Sequence, residues 1–411
     1  MRYDYDALVI GARCAGAATA MLLARRGHRV LLVDRARFPR EIPNGHFIHR
    51  HGPARLARWG LLDRIVATGC PPATTQTSYM GDFPLVARDL EIDGVAWGYG
   101  PRRRLLDKIL VDAATEAGAD LHEGFTVDDV LTDGDAVIGV RGRPGGGAAP
   151  TGVTARLTIG ADGRHSRLAR AVRAPVSEAV PSLACWYFSY WSGVPRPGME
   201  MYVLKERRAI FAFPTNDDLL AIFIGFPIEE FPALRLDVPR TVQRVLDLAP
   251  GFGERVRSGR REERFYGTAD VPHFLRKPFG NGWALVGDAG CHKDPFLALG
   301  ICDALRDAEL LAAAAGEGLS GHRPMADPLA GYERRRNEAT LPDYRENVQA
   351  ARLGPIPPEV LQLRQALRDR PADATRFAMA RAAMIPPETF FNPPNLQRIL
   401  AGRPAVDAPA A

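Results

Sequence analysis

Lysine is almost missing from this chain: Lys108, Lys205, Lys277 and Lys293 are the only lysines among 53 basic residues. Neither charge sign prevails by much, with 53 basic against 48 acidic side chains and a net charge of +5. No run of like charge concentrates that excess, so neither a nucleic-acid nor a membrane-surface partner is expected. Paired cysteines are absent as well. Cys14, Cys70, Cys185, Cys291 and Cys302 lie far apart and form no Cys-x-x-Cys. That spacing argues against a zinc ribbon, an iron–sulfur site and a dithiol redox centre, and no metal is expected. An odd cysteine count and a polar N-terminus without a leader pattern fit the reducing cytoplasm. The longest apolar run, Ala15 to Ala24, falls short of the roughly 20 residues that a bilayer span needs.

What is present is ordinary globular material: 411 residues, 46% apolar and 25% charged. Such a composition excludes a largely disordered chain, and the length suits two or three domains. The opening reads as a βαβ unit. Ala7 to Ile10 is a continuous apolar strand, Gly11 to Gly16 a turn, Ala17 to Arg26 an Ala/Leu-rich helix stopped by Gly27, and Arg29 to Asp34 a second strand. A long irregular stretch rich in Pro and Gly follows, Arg35 to Gly52, and loops of that length usually serve function. Arg103 to Ala117 reads as an amphipathic helix, and Asp133-Gly134-Asp135 as a hairpin turn. From Leu183 to Phe226 aromatic and β-branched residues dominate, which predicts antiparallel strands. Strand pattern returns at Trp283 to Val286, and helices are expected over 300–315 and 328–351.

The predicted fold is therefore α/β, with a Rossmann-like nucleotide domain, an inserted antiparallel β-sheet and C-terminal helices. The expected boundaries are 1–180 with 265–350 for a discontinuous nucleotide domain, 181–264 for the β-sheet domain, 351–400 for a helical extension and 401–411 for a disordered tail.

The first turn is the strongest motif. A dinucleotide fingerprint wants G-x-G-x-x-G between strand and helix, with an acid about 20 residues on. Gly11 and Gly16 fit, Asp34 ends the second strand, and Arg13 replaces the middle glycine. Gly11 allows the tight turn, Gly16 allows the helix to pack on the strand, and the helix start suits a pyrophosphate. Asp34 would accept hydrogen bonds from a ribose, and the Arg13 guanidinium is able to pair with a phosphate. Two later segments match this site: Asp162-Gly163 after one strand and Gly287-Asp288 after another.

With Arg103, Leu106 and Leu110 on a helix and Pro295 and Gly300 after Gly287-Asp288, the set resembles flavoprotein monooxygenases of the para-hydroxybenzoate hydroxylase type. The variant form G-x-R-C-A-G looks like a subgroup related to geranylgeranyl reductases and flavin halogenases. The resemblance implies FAD as the tightly held cofactor. Its adenosine and pyrophosphate would lie at Gly11, Arg13, Cys14, Ala15, Gly16 and Asp34, with Arg35 and Arg40 on the following loop as further contacts. Arg103 would meet the phosphates, Asp162 and Gly163 would serve FAD and NAD(P)H, and Gly287 and Asp288 would hold the ribityl region. Pro295, Ala298 and Gly300 would border the isoalloxazine ring. The chain departs from the pattern at Ala298, often glycine, at Cys302, often asparagine, and at Cys291, where a histidine is usual and His292 comes next.

The implied chemistry is hydroxylation or epoxidation of a small aromatic or apolar molecule with NAD(P)H and oxygen, by way of a C4a-hydroperoxyflavin. A single Rossmann turn makes NAD(P)H a transient reductant. Such chemistry asks the protein for dryness and orientation more than for a nucleophile. Trp186, Trp191, Phe211 and Phe213 are expected to form an apolar substrate wall, or simply sheet core. His46 and His49 on the long loop, and His292 beside the ring loop, are the candidate bases or flavin partners. A reductase or dehydrogenase acting on a C=C bond would look the same at this level. A halogenase would carry a lysine between the second strand and the Arg103 helix, and a Trp-x-Trp-x-Ile-Pro signature; neither is found.

Overall fold

The computed structural model describes residues 2–403 apart from 82, 89–90, 146–148 and 382–383. Most of the tail expected from 401 onward, and part of the glycine run at 145–147, lie outside the described residues. The nucleotide side is built on a sheet with central order Trp283–Leu285, Thr151–Gly160, Tyr5–Ile10, Val30–Asp34 and Asp120–Glu123, all parallel. The central strands Tyr5–Ile10 and Val30–Asp34 are buried on both faces over most of their length, which is why they read as apolar runs. The opening helix, Cys14–Ala24, is buried along its whole length between the sheet, the Arg103–Glu116 helix and the long Gly300–Leu319 helix.

A second sheet runs in the order Arg260–Arg261, Ala184–Ser192, Leu219–Pro227, Arg208–Thr215, Met199–Leu204, Gln76–Met80 and Phe83–Ala87. It therefore borrows a hairpin, 76–87, that the sequence pattern assigned to the first domain; the hairpin joins through a parallel pairing of Tyr202 with Tyr79. Local pattern does not encode so distant a pairing. Alternation along the strands splits the aromatic residues between two faces. Trp186, Phe188, Tyr190, Phe211, Phe213 and Phe223 face the nucleotide domain, together with Phe47 and Phe296. Tyr187, Trp191, Tyr202 and Ile210 face outward beneath the helices Val238–Asp247 and Pro250–Arg257. Three C-terminal helices, Pro358–Leu367, Pro371–Arg381 and Pro393–Leu400, pack on the Phe83–Ala87 edge strand. Fully buried Arg364 anchors them by donating to the carbonyls of Ser78 and Met80. Among the described residues, no helix is long and apolar enough to cross a membrane.

Candidate flavin and substrate site

Register places Ile10 beside Val33 and Gly160, and Gly160 beside Leu285. The three motifs after those strand ends thus converge at one sheet edge, where open α/β sheets bind ligands. Gly11 has φ +101°, and a Cβ there would lie 2.5 Å from the Ala161 carbonyl oxygen. A Cβ on Gly16 would lie 1.7 Å from the Gly11 carbonyl oxygen. Close packing of the turn on the neighbouring backbone therefore dictates both glycines. Asp34 holds the same turn: it accepts from the Ala12 N–H at 2.8 Å and the Ala36 N–H at 2.7 Å.

Helix Cys14–Ala24 starts without a side-chain cap or an acid in its first turn, which leaves its first N–H groups and positive dipole end for a ligand. Gly287, at φ +60°, presses against that start, where an added Cβ would meet the Ala15 Cβ at 2.7 Å. Beside it Asp288 is exposed. Buried Arg103 lies close enough to feel the Asp288 charge; burial opposes its own charge, but Asp107 beside it keeps the guanidinium protonated above its usual range. A backbone cradle closed to any Cβ, an uncapped helix start, two arginines and a free carboxylate fit a dinucleotide with a pyrophosphate and a polyol chain.

The other expected contacts are placed less tightly. Arg35 and Arg40 are exposed on the loop. Asp162 accepts from the Arg167 N–H at 2.7 Å at the start of a short helix, and burial pushes its carboxyl upward. Gly163 turns at φ +79°. In the ring loop, Pro295 and Gly300 are exposed and Ala298 adopts the left-handed conformation at φ +54°. A glycine would take that conformation more easily, so the departure from the family pattern keeps the shape at a small local cost. Burial pushes the Cys291 and Cys302 thiols up to about 12, so neither is a thiolate at neutral pH.

Opposite this loop stands the aromatic inner face. Trp186, Phe211 and Phe213 belong to it. Trp191 does not: an odd separation from Trp186 turns it to the outer face, against Phe265, so it leaves the expected wall. His46 is buried against the wall. Its Nδ1 lies 3.0 Å from the Gly100 carbonyl oxygen and its Nε2 3.0 Å from the Tyr190 hydroxyl, and burial pulls its pKa down to about 3. His49 bonds the Leu297 carbonyl oxygen at 3.1 Å and is held at about 4, again by burial. His292 is turned away from the wall, bonded to the Pro272 carbonyl and stacked on Phe274.

Three residues escaped the sequence reading. Asp107, one helical turn after Arg103, is fully buried among Arg13, Cys14 and Arg103. Tyr190 lay within the aromatic run, but nothing in that run marked its hydroxyl. Asp294 stands immediately before Pro295; both its carboxylate oxygens lie 3.1 Å from the Trp186 indole nitrogen, and burial raises its pKa to about 7. Only the spacing of Asp107 from Arg103 was visible in advance.

This architecture defines a nucleotide-binding domain facing an apolar β-sheet wall. Comparison with known proteins agrees. A model of the FAD binding domain matches residues 4–195. A tryptophan 2-halogenase of Chondromyces crocatus is 24% identical over 355 residues, 80% of this chain but only 64% of that protein, just under two thirds of its length. A digeranylgeranylglycerophospholipid reductase of Methanosarcina mazei is 26% identical, covering 78% of this chain and 77% of the relative. A kynurenine 3-monooxygenase of Salinispora arenicola is 27% identical, covering 81% and 76%. Among solved structures, a myxobacterial chondrochloren halogenase superposes with a TM-score of 0.77 over 97% of both chains at 24% identity, a likeness of fold. Residues 4–195 thus match an FAD binding domain, the relatives named above are similar to the chain over most of its length, and FAD is the cofactor that such a domain binds.

Proposed function

We propose that this flavoprotein is a monooxygenase: it consumes NAD(P)H and O2 to place one oxygen atom in a small aromatic or apolar molecule and releases the other as water. The observation that carries this reading is the inner aromatic face, where Trp186, Phe188, Phe211, Phe213 and Phe223 stand buried opposite Phe296 of the ring loop. Such a wall excludes water and orients a flat apolar substrate. Bound FAD supplies hydride acceptance from NAD(P)H and the activation of oxygen.

The chain's own groups hold protons at defined atoms. A carbonyl oxygen only accepts, so His46 Nδ1 carries the hydrogen given to Gly100 and Nε2 accepts the Tyr190 O–H. Burial keeps His46 neutral, so its Nε2 fixes the direction of the Tyr190 proton. The phenol oxygen keeps its lone pairs for a substrate hydroxyl, while the Arg102 guanidinium covers the ring at 4.0 Å from its centroid. Asp294, bonded to Trp186 of the same inner face, holds a proton near neutrality.

Halogenation is disfavoured. No lysine precedes Lys108, and Lys293 in the ring loop is engaged by Asp303 at 2.7 Å. Reduction of a C=C bond is the second reading, motivated by the reductase relative. Steady-state assays with a panel of phenols separate the two: the proposal expects substrate-stimulated NAD(P)H oxidation with hydroxylated product in matching amount. A saturated product, formed equally well without oxygen, would replace it with the second reading. In the same assay His46→Ala and Tyr190→Phe are expected to keep FAD and lose rate.

A further inference from the structure

Arg13 occupies the position where the nucleotide fingerprint carries its middle glycine, and the structure shows what accompanies that exchange. Its Nη1 lies 2.5 Å from Asp107 Oδ2. From the other side, Arg103 Nη2 lies 2.9 Å from Asp107 Oδ1 and its Nε 3.2 Å. The Cys14 thiol, adjacent to Arg13, donates to the same Oδ1 at 3.4 Å. Asp107 itself is fully buried, and the Arg103 side chain nearly so. Two guanidiniums thus share one carboxylate at the start of an uncapped helix, and one positive charge is left over before the exposed Asp288 is counted.

We infer that Asp107 is a positioning residue for the FAD pyrophosphate: it fixes Arg13 and Arg103 as a single cationic clamp, and Arg13 with Asp107 takes over what the missing glycine would supply. The physical logic is a trade. A glycine there lets the backbone approach a phosphate closely, whereas a side chain at that position keeps the backbone back. A guanidinium replaces backbone contact with charge-assisted hydrogen bonds, but only when its fork is aimed. A free arginine on a turn loses side-chain freedom when it binds. The Asp107 carboxylate imposes that order before FAD arrives. Arg13 retains a quarter of its side-chain exposure, so it is not sealed off from a ligand. Buried Cys14 serves the same carboxylate as a third donor, its thiol pushed up to about 12 by burial.

The test is equilibrium titration of apoprotein with FAD, read by flavin fluorescence and independent of turnover. Arg13→Ala and Asp107→Asn should each weaken FAD binding about 10- to 100-fold, the range of one charge-assisted contact. The double variant should be no weaker than the worse single one, because the two residues act as a unit. Arg13→Gly, which restores the fingerprint, should recover much of the affinity lost in Arg13→Ala. Arg13 is partly exposed, so its variants are expected to melt as the parent apoprotein does. They keep the test decisive even if Asp107→Asn does not fold. Unchanged FAD affinity in Arg13→Ala, tighter binding in Asp107→Asn, or fully additive losses in the double variant would overturn the inference.

Discussion

The two sides of the cleft are built by opposite means. On the nucleotide side, backbone geometry and charge decide everything: Gly11, Gly16 and Gly287 have no room for a Cβ, and Asp107 gathers two arginines. On the substrate side apolar rings dominate, with the Arg102 guanidinium over Tyr190 at their border. Stacked and edge-on aromatic rings such as Phe188 on Phe223, with ring centres 4.4 Å apart, form the surface. A site made of backbone contacts admits few substitutions. One made of side-chain volume can be recut without disturbing the sheet beneath it. This difference gives a physical reason why one FAD-binding framework is shared by relatives named for halogenation, reduction and hydroxylation.

The sharpest way to break the contrast is Gly16→Val. With the Gly11 carbonyl in the way, the opening helix has no means of seating on its strand, and the variant is expected to yield no folded protein by circular dichroism. A well-folded, FAD-loaded Gly16→Val would show that the nucleotide side is as plastic as the wall. Next in size is Asp288→Ala, expected to purify largely without FAD while its apoprotein melts normally; full flavin content by absorbance would remove Asp288 from the site. On the wall, Phe213→Leu should leave flavin content unchanged and raise KM several-fold, a volume effect of about 1–2 kcal/mol. Loss of FAD in that variant would erase the division of labour.

Two further effects concern pH, and their signs are opposite. Asp294 is raised from 3.8 to about 7 on folding, so the folded state binds the extra proton between those values and stability falls as pH climbs from about 4 to 7. Asp294→Asn should lack that slope and gain on the parent by a few kcal/mol at pH 8, as read by denaturant titration. His46 and His49 are lowered from 6.5 to about 3 and about 4, so their contribution is complete above pH 6.5 and is lost as pH falls towards those values. His46→Gln should soften the acid limb of the melting profile; an unchanged limb would mean that His46 is not buried neutral.

Much of the nucleotide side was legible in the sequence because glycine and acid are read from chain position. The strand ending at Ile10, the acid at Asp34 and the later Gly-Asp pair lie at strand ends as the motif requires, while the helix starts at Cys14, three residues before the expected Ala17. The wall was legible as strand but not as surface. Its strands are buried on both faces, so no polar alternation marks which residues point inward. Trp186 and Trp191 look equivalent in such a run, and only the parity of their spacing separates them. The hairpin at 76–87 joins the second sheet across more than a hundred residues, a pairing that no local propensity encodes. Burial was hidden as well. His46 read as a base or a flavin partner before the structure enclosed it, and nothing in the sequence marked Asp294, whose pKa burial raises against the hydrogen bond from the Trp186 indole.

The most direct test is a two-stage mixing experiment with FAD-loaded protein. The flavin is reduced anaerobically, a phenol that stimulates NAD(P)H oxidation is added, and labelled oxygen follows. The account predicts a flavin that stays reduced until oxygen enters, then one labelled atom in the product. Reoxidation by the substrate alone, before any oxygen is admitted, would contradict it.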